Sequence, residues 1–227
     1  MRILAFDCCA DWLVAGVGEV RDGHVAMLAE LPPSSANGHA ERLVPAIERV
    51  MAEADVVWSG LDALAVTNGP GSFTGIRTCV AAARGLALAA RIPVFAMSTL
   101  EAFAAARCMA DGRENGQVAF PSRAFPLRMT MAGRRGRVFV QDFRDRFEPL
   151  TAPRSVEAGG PGPLPGDDMP TIDCAGGGIG AKAMIELAGY RIAAGIVPIE
   201  AFHLQPLYLN PPDARLSAGQ SLLGKKA

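Results

Sequence analysis

The nine residues Gly69-Pro70-Gly71-Ser72-Phe73-Thr74-Gly75-Ile76-Arg77 are the stretch best suited to hold a ligand. Glycines let a backbone turn tightly and come close to whatever lies in the loop. Ser72 or Thr74 can cap a following helix, and the free N–H groups at a helix start attract an anion such as phosphate. The same string is also an ordinary exit from a strand. A second glycine run, Gly176-Gly177-Gly178-Ile179-Gly180, follows another strand-like segment. Asp7 closes the apolar run Ile3-Leu4-Ala5-Phe6. Asp7, Gly71, Ser72, Thr74, Gly177 and Gly178 are therefore the candidates for nucleotide contact.

Other chemistries find less support. The five cysteines include no C-x-x-C pair, and the three histidines are scattered. His39 has Leu43 four residues on, so a helical His pair for metal is missing. Neither a disulfide framework nor a structural zinc site is expected, and no metal ligand is assigned. There is no H-E-x-x-H, and no G-x-S-x-G elbow surrounds Ser72, which leaves proteolysis without machinery.

The chain has 227 residues, 50% of them hydrophobic and 6% aromatic, and a net charge of −1. A core built mainly of Ala, Val, Leu and Ile follows. A near-neutral chain argues against a broad basic surface for nucleic acid. Without a signal-peptide layout or a long uncharged apolar stretch, the expected setting is a reducing cytoplasm with no membrane contact.

The elements that must position these residues read as follows. Residues 3–6, 13–17 and 25–29 are three strands, the last two turning at Asp22-Gly23, a hairpin signal. Leu43, Ile47, Val50 and Ala54 share a helical face; Pro45 suits a first turn, so the helix is expected to begin near Val44. Residues 61–66 form a fourth strand leading into the glycine loop. An Ala-rich helix then runs to Ala90, and residues 93–97 are a fifth strand. Ser98-Thr99-Leu100-Glu101 is a capping box opening a third helix. The order β-β-β-α-β-α-β-α is the plan of a ribonuclease-H-like half-module. After residue 110 the signal thins: a hairpin over 127–131 and 138–143, an irregular Pro/Gly-rich stretch 151–170, a strand at 171–175, a helix to about Leu187, and a short strand at 196–199.

With these pieces in place the chain resembles the TsaB (YeaZ) family of tRNA threonylcarbamoyladenosine biosynthesis proteins. The resemblance rests on Ile3-Leu4-Ala5-Phe6-Asp7, His39-Ala40-Glu41-Arg42-Leu43-Val44-Pro45, the loop through Arg77, Ala83-Arg84-Gly85-Leu86-Ala87 and Ser98-Thr99-Leu100-Glu101-Ala102. Pro206-Leu207-Tyr208-Leu209 and Pro212-Asp213-Ala214-Arg215 resemble the family's closing motif. It implies an α/β, two-lobed actin-like fold with mixed sheets and a smaller, degenerate second lobe. The expected divisions are 1–110, rejoined by 203–216, then 111–202 and a tail at 217–227. It also implies a non-catalytic subunit that pairs with a homologous TsaD-like transferase. A TsaE-like ATPase and tRNA join through the complex, ATP/ADP and Mg²⁺ belong to the complex rather than to this chain, and the family also forms homodimers. The alternatives are an independent ATP-binding enzyme of the actin-like class, a phosphotransferase or hydrolase, and an inactive peptidase-like homologue.

Two departures bear on this. Cys8-Cys9 stands where the family pattern has Thr-Ser, and thiols are poor company for Mg²⁺. In the hairpin, Ala132 replaces an Asp and Arg137 a Glu, which makes that turn basic. The glycine loop then reads as a structural turn launching a partner-binding helix. The expected partner interface is His39, Leu43, Ile47, Arg77, Val80, Ala83, Arg84 and Ala87.

Overall fold

A computed structural model describes residues 1–10, 12–32, 34, 38–107, 125–158, 169–174 and 178–210. The strands β1 (Arg2–Asp7), β2 (Val14–Arg21) and β3 (His24–Glu30) form an antiparallel meander. β4 (Ala63–Thr67) and β5 (Val94–Met97) add to β1 in parallel, giving the order β3-β2-β1-β4-β5. Parallel neighbours need a crossover. These are α1 (His39–Glu53) between β3 and β4, and α2 (Phe73–Ala90) between β4 and β5. The expected order β-β-β-α-β-α-β-α is the observed one, closing with α3 (Thr99–Arg107).

Successive side chains of a strand point to opposite faces, and both faces of this sheet are covered. Leu4, Phe6, Val17, Leu64 and Val66 pack with Leu43, Ile47 and Val50 of α1 and with Ile76, Val80 and Ala83 of α2. Ile3, Ala5, Val14, Ala63 and Ala65 pack instead with α3 and with α4 (Ala181–Ala193). Beyond these two helices lies a second sheet: β6 (Leu127–Ala132), β7 (Arg137–Phe143), β8 (Arg154–Glu157) and β9 (Thr171–Asp173), ordered β8-β7-β6-β9. Leu127, Met129 and Phe143 join α3 and α4 in one core.

Four local expectations change. α1 starts at His39 rather than near Val44, with Pro45 inside it. Proline removes the bond to the carbonyl four residues back, here Glu41; both residues are exposed, so the missing bond falls on the solvent side of the helix. A strand, β8, emerges from the Pro/Gly-rich stretch, paired to β7. α4 runs to Ala193. The expected strand at 196–199 is a single bridge between Ile199 and Val94. The capping box forms as expected: Ser98 Oγ accepts from the Glu101 N–H at 3.0 Å, and Glu101 Oε2 accepts from the Ser98 N–H at 2.6 Å.

Polar links tie the layers. Ser98 Oγ donates to Gln141 Oε1 of β7 at 2.6 Å, and Arg191 of α4 donates to Glu101 of α3 at 2.5 Å. Inside the second sheet Arg128 grips Asp142 through Nε at 2.6 Å and Nη2 at 3.2 Å, with Arg154 adding a bond at 3.2 Å. Burial alone would raise the Asp142 carboxyl, but the two arginines hold it below its ordinary 3.8. Removing one partner of a buried ion pair leaves the other charge unpaired. Asp142→Ala is expected to cost about 3–5 kcal/mol at neutral pH. A depressed folded-state pKa contributes stability that is present above the unfolded value and lost as pH falls through the folded one. The gap between wild type and variant in urea unfolding therefore narrows below about pH 4.

Candidate functional site

The glycine loop leaves β4 at Thr67 and enters α2 at Phe73, with Ser72 as N-cap. Of the two candidate caps it is Ser72 that acts: its Oγ accepts from the Gly75 N–H at 3.0 Å, while Thr74 is exposed. The loop presses on the turn after β1. A Cβ on Gly71 would sit 2.0 Å from the Cys9 carbonyl oxygen, and one on Gly75 would sit 2.0 Å from that of Cys8. The Ser72 N–H donates to the Cys9 carbonyl at 2.8 Å. Backbone meeting backbone accounts for both glycines.

Asp7 lies beneath this contact, fully buried. Its Oδ1 accepts from the Cys9 N–H at 2.9 Å and from the Thr67 hydroxyl. Its Oδ2 is buried and has no hydrogen-bond partner. Burial pushes its pKa up to about 7. Beside it the fold gathers thiols that form no C-x-x-C pair in the sequence: Asp7, Cys9 and Cys79 place their ligating atoms within 4.8 Å of one another. Cys79 arrives from α2, seventy residues away, so no ligand spacing announced it.

Above the loop opens a cleft of about 770 Å³ between the two sheets' ends. Ser72 and Phe73 line one side, Arg134, Arg137 and Phe139 of the basic hairpin another, and Tyr208 a third. Of the candidate nucleotide residues, Gly71 and Ser72 border the cleft. Gly178 lies elsewhere, ahead of α4, and Gly177 is outside the described residues. The start of α4 already has an acceptor, because Glu30 Oε1 takes the Ala181 N–H at 2.6 Å.

The residues expected at the partner interface divide sharply. Leu43, Ile47, Val80, Ala83 and Ala87 are buried against their own sheet, with Leu43 and Ala83 fully so. All five belong to the inward faces of their helices, so they do not stand at a surface a partner could meet. Arg77 and Arg84 are engaged within the chain. Arg77 Nε donates to the Tyr208 hydroxyl at 3.0 Å and its guanidinium stacks 3.7 Å above the Phe73 ring. Arg84 Nε donates to the Leu204 carbonyl at 2.8 Å. His39 opens α1, but its side chain is outside the described residues. What α2 presents outward is Thr74, Arg77, Ala81, Gly85 and Leu88, at three- and four-residue spacing, with Val44 and Glu48 exposed on the neighbouring α1. Nothing approaches within 4 Å of where a Gly85 Cβ would stand.

A family model described as TsaD: tRNA N6-adenosine threonylcarbamoyltransferase matches residues 30–157. The chain belongs to the TsaD family. Among relatives, a tRNA N6-adenosine threonylcarbamoyltransferase of Erythrobacter litoralis is 40% identical over 90 residues, 40% of this chain and 26% of that one. The tRNA threonylcarbamoyladenosine biosynthesis protein TsaB of Escherichia coli is 36% identical over 118 residues, 51% of this chain and 46% of that one. The matches thus span less than half the length of these curated relatives. The structure of YeaZ from Pseudomonas aeruginosa superposes with a TM-score of 0.70 at 24% identity, covering 92% of this chain and 99% of the other. The resemblance to TsaB within the TsaD family is borne out, and so is the two-lobed actin-like fold. Among the described residues no helix is long and apolar enough to cross a membrane.

Proposed function

We propose that this chain is the non-catalytic partner subunit in tRNA threonylcarbamoyladenosine biosynthesis, pairing with a TsaD-like transferase through the outer face of α1 and α2. The observation that carries the reading is the uncovered stripe Ala81, Gly85 and Leu88 on α2 beside Val44 on α1. Small residues let a second pair of helices approach closely, and exposed Leu88 and Val44 supply apolar area. The glycine loop serves this by fixing where α2 starts. Within this reading a TsaE-like ATPase, tRNA, and ATP/ADP with Mg²⁺ are bound by the assembled complex in the cytoplasm. A homodimer would use the same stripe.

The test mixes the purified chain with a TsaD-like subunit and follows association and tRNA modification together. A stable mixed complex is expected, with modification only when both chains are present. Failure to associate at micromolar concentration, with or without nucleotide, refutes the reading. The cleft favours one competing reading, an ATP-dependent enzyme. That reading requires the isolated chain to bind Mg²⁺–ATP with an affinity that falls on replacing Arg134 and Arg137.

A further inference from the structure

We propose that the cluster beneath the glycine loop is a binding site for a thiophilic divalent cation of the zinc type, with Asp7, Cys9 and Cys79 as ligands. One carboxylate oxygen and two sulfurs, all buried, lie within 4.8 Å of one another. Tetrahedral zinc, with Zn–S about 2.3 Å and Zn–O about 2.1 Å, sets ligand atoms roughly 3.5–3.8 Å apart. Contraction by about 1 Å through side-chain torsions brings these three onto a common ion.

A separate observation points the same way. Asp7 Oδ2 is buried without a partner, although Oδ1 of the same carboxylate carries two hydrogen bonds. Among the described residues no basic side chain pairs with Asp7. A buried polar atom left unsatisfied calls for an explanation such as a missing ion. The thiols are loosely held: Cys9 Sγ donates to the Thr67 carbonyl at 3.6 Å, and Cys79 Sγ to that of Phe6 at 3.9 Å. On metal binding each of these thiols releases its proton to solvent and forms a sulfur–metal bond, while Oδ2 becomes the oxygen ligand. Cys8, whose Sγ donates to the Gly75 carbonyl at 3.4 Å, stands outside the three-residue group and leaves the fourth position to water. Sulfur donors select zinc over magnesium, which prefers an all-oxygen shell. Cys9 also lines the floor of the cleft.

Cobalt(II), which occupies zinc sites and reports sulfur ligation through an intense near-ultraviolet charge-transfer band, is the probe. The full chain, stripped with a chelator, is titrated with Co²⁺ and then with Zn²⁺. The expected result is a saturable band at one cobalt per chain, erased by stoichiometric zinc, and a zinc-dependent rise in Tm. Cys79→Ala loses both the band and the rise in Tm. Asp7→Asn keeps the band at reduced affinity, and Cys174→Ser, outside the cluster, behaves as wild type. If Cys79→Ala does not fold, Cys9→Ala replaces it. Absence of the band in the wild-type chain overturns the proposal, and so does a band that survives both cysteine substitutions or vanishes with Cys174→Ser.

Discussion

Gly75→Ala is expected to destabilise the protein by about 1–3 kcal/mol net, although the same exchange at Gly85 in the same helix stabilises it. Alanine is the better helix former by about 1 kcal/mol, so propensity favours both changes. Space decides between them. At Gly75 the new methyl would stand 2.0 Å from the Cys8 carbonyl oxygen and 2.6 Å from Ser72 Oγ. The first is backbone and cannot swing aside, so the start of α2 must lift off the β1 turn. That movement breaks the Ser72 cap, worth about 1 kcal/mol, and loosens Ile76 and Cys79 in the core, with an overpacking cost of about 1–3 kcal/mol. At Gly85 the methyl enters open solvent. Urea unfolding of the two variants under one condition makes the comparison. Equal and favourable effects would show that the glycine loop does not need its close approach to Cys8.

Gly85→Arg is expected to leave the fold in place and weaken the mixed complex by at least about 2 kcal/mol, roughly thirtyfold. Its Cβ is unobstructed in the isolated chain, and in a close helix-on-helix contact a guanidinium has nowhere to go. Ala83→Asp, two residues earlier, is expected to do the reverse. Ala83 is fully buried against the sheet, so a carboxylate there carries an unpaired charge into the core and unfolds the chain before any partner is met. Circular dichroism separates the two outcomes, and calorimetry with a TsaD-like subunit measures the first. An affinity unaffected by Gly85→Arg and by Ala81→Arg alike would place the interface on another surface.

These paired outcomes mark what the residues disclosed and what they withheld. The short apolar runs of β1 to β5 and the caps at Ser72 and Ser98 are local signals, and the fold follows them. The facing of α2 is not a local signal. Its inner positions Val80, Ala83 and Ala87 and its outer positions Ala81, Gly85 and Leu88 are similar in size and polarity, so periodicity cannot tell sheet from solvent. For α1 the stripe of Leu43, Ile47 and Val50 stands opposite a charged face, which already argues that Leu43 and Ile47 point into the core rather than toward a partner. β8 stayed hidden because its four residues follow Pro153 within a segment rich in turn formers, and its pairing with β7 is a long-range matter. The Cys9–Cys79 approach, the Glu30 contact with α4 and the Arg77–Tyr208 bond join residues 70 to 151 positions apart. No window of sequence contains such pairs.

The inner face of the first sheet is closed by α4, whose residues come 150 positions after the β2–β3 hairpin they cover, and Arg84 waits for a carbonyl 120 residues downstream. A growing chain releases its N-terminal end first. On the ribosome, the five strands of the first sheet are therefore complete long before their lid exists, with Ile3, Ala5, Val14 and Ala65 bare on one side. Contacts this distant slow folding, and an uncovered sheet is prone to self-association. The nascent first half is thus a natural client for chaperones until α4 and residues 204–208, which close over it and bind Arg77 and Arg84, have emerged from the exit tunnel.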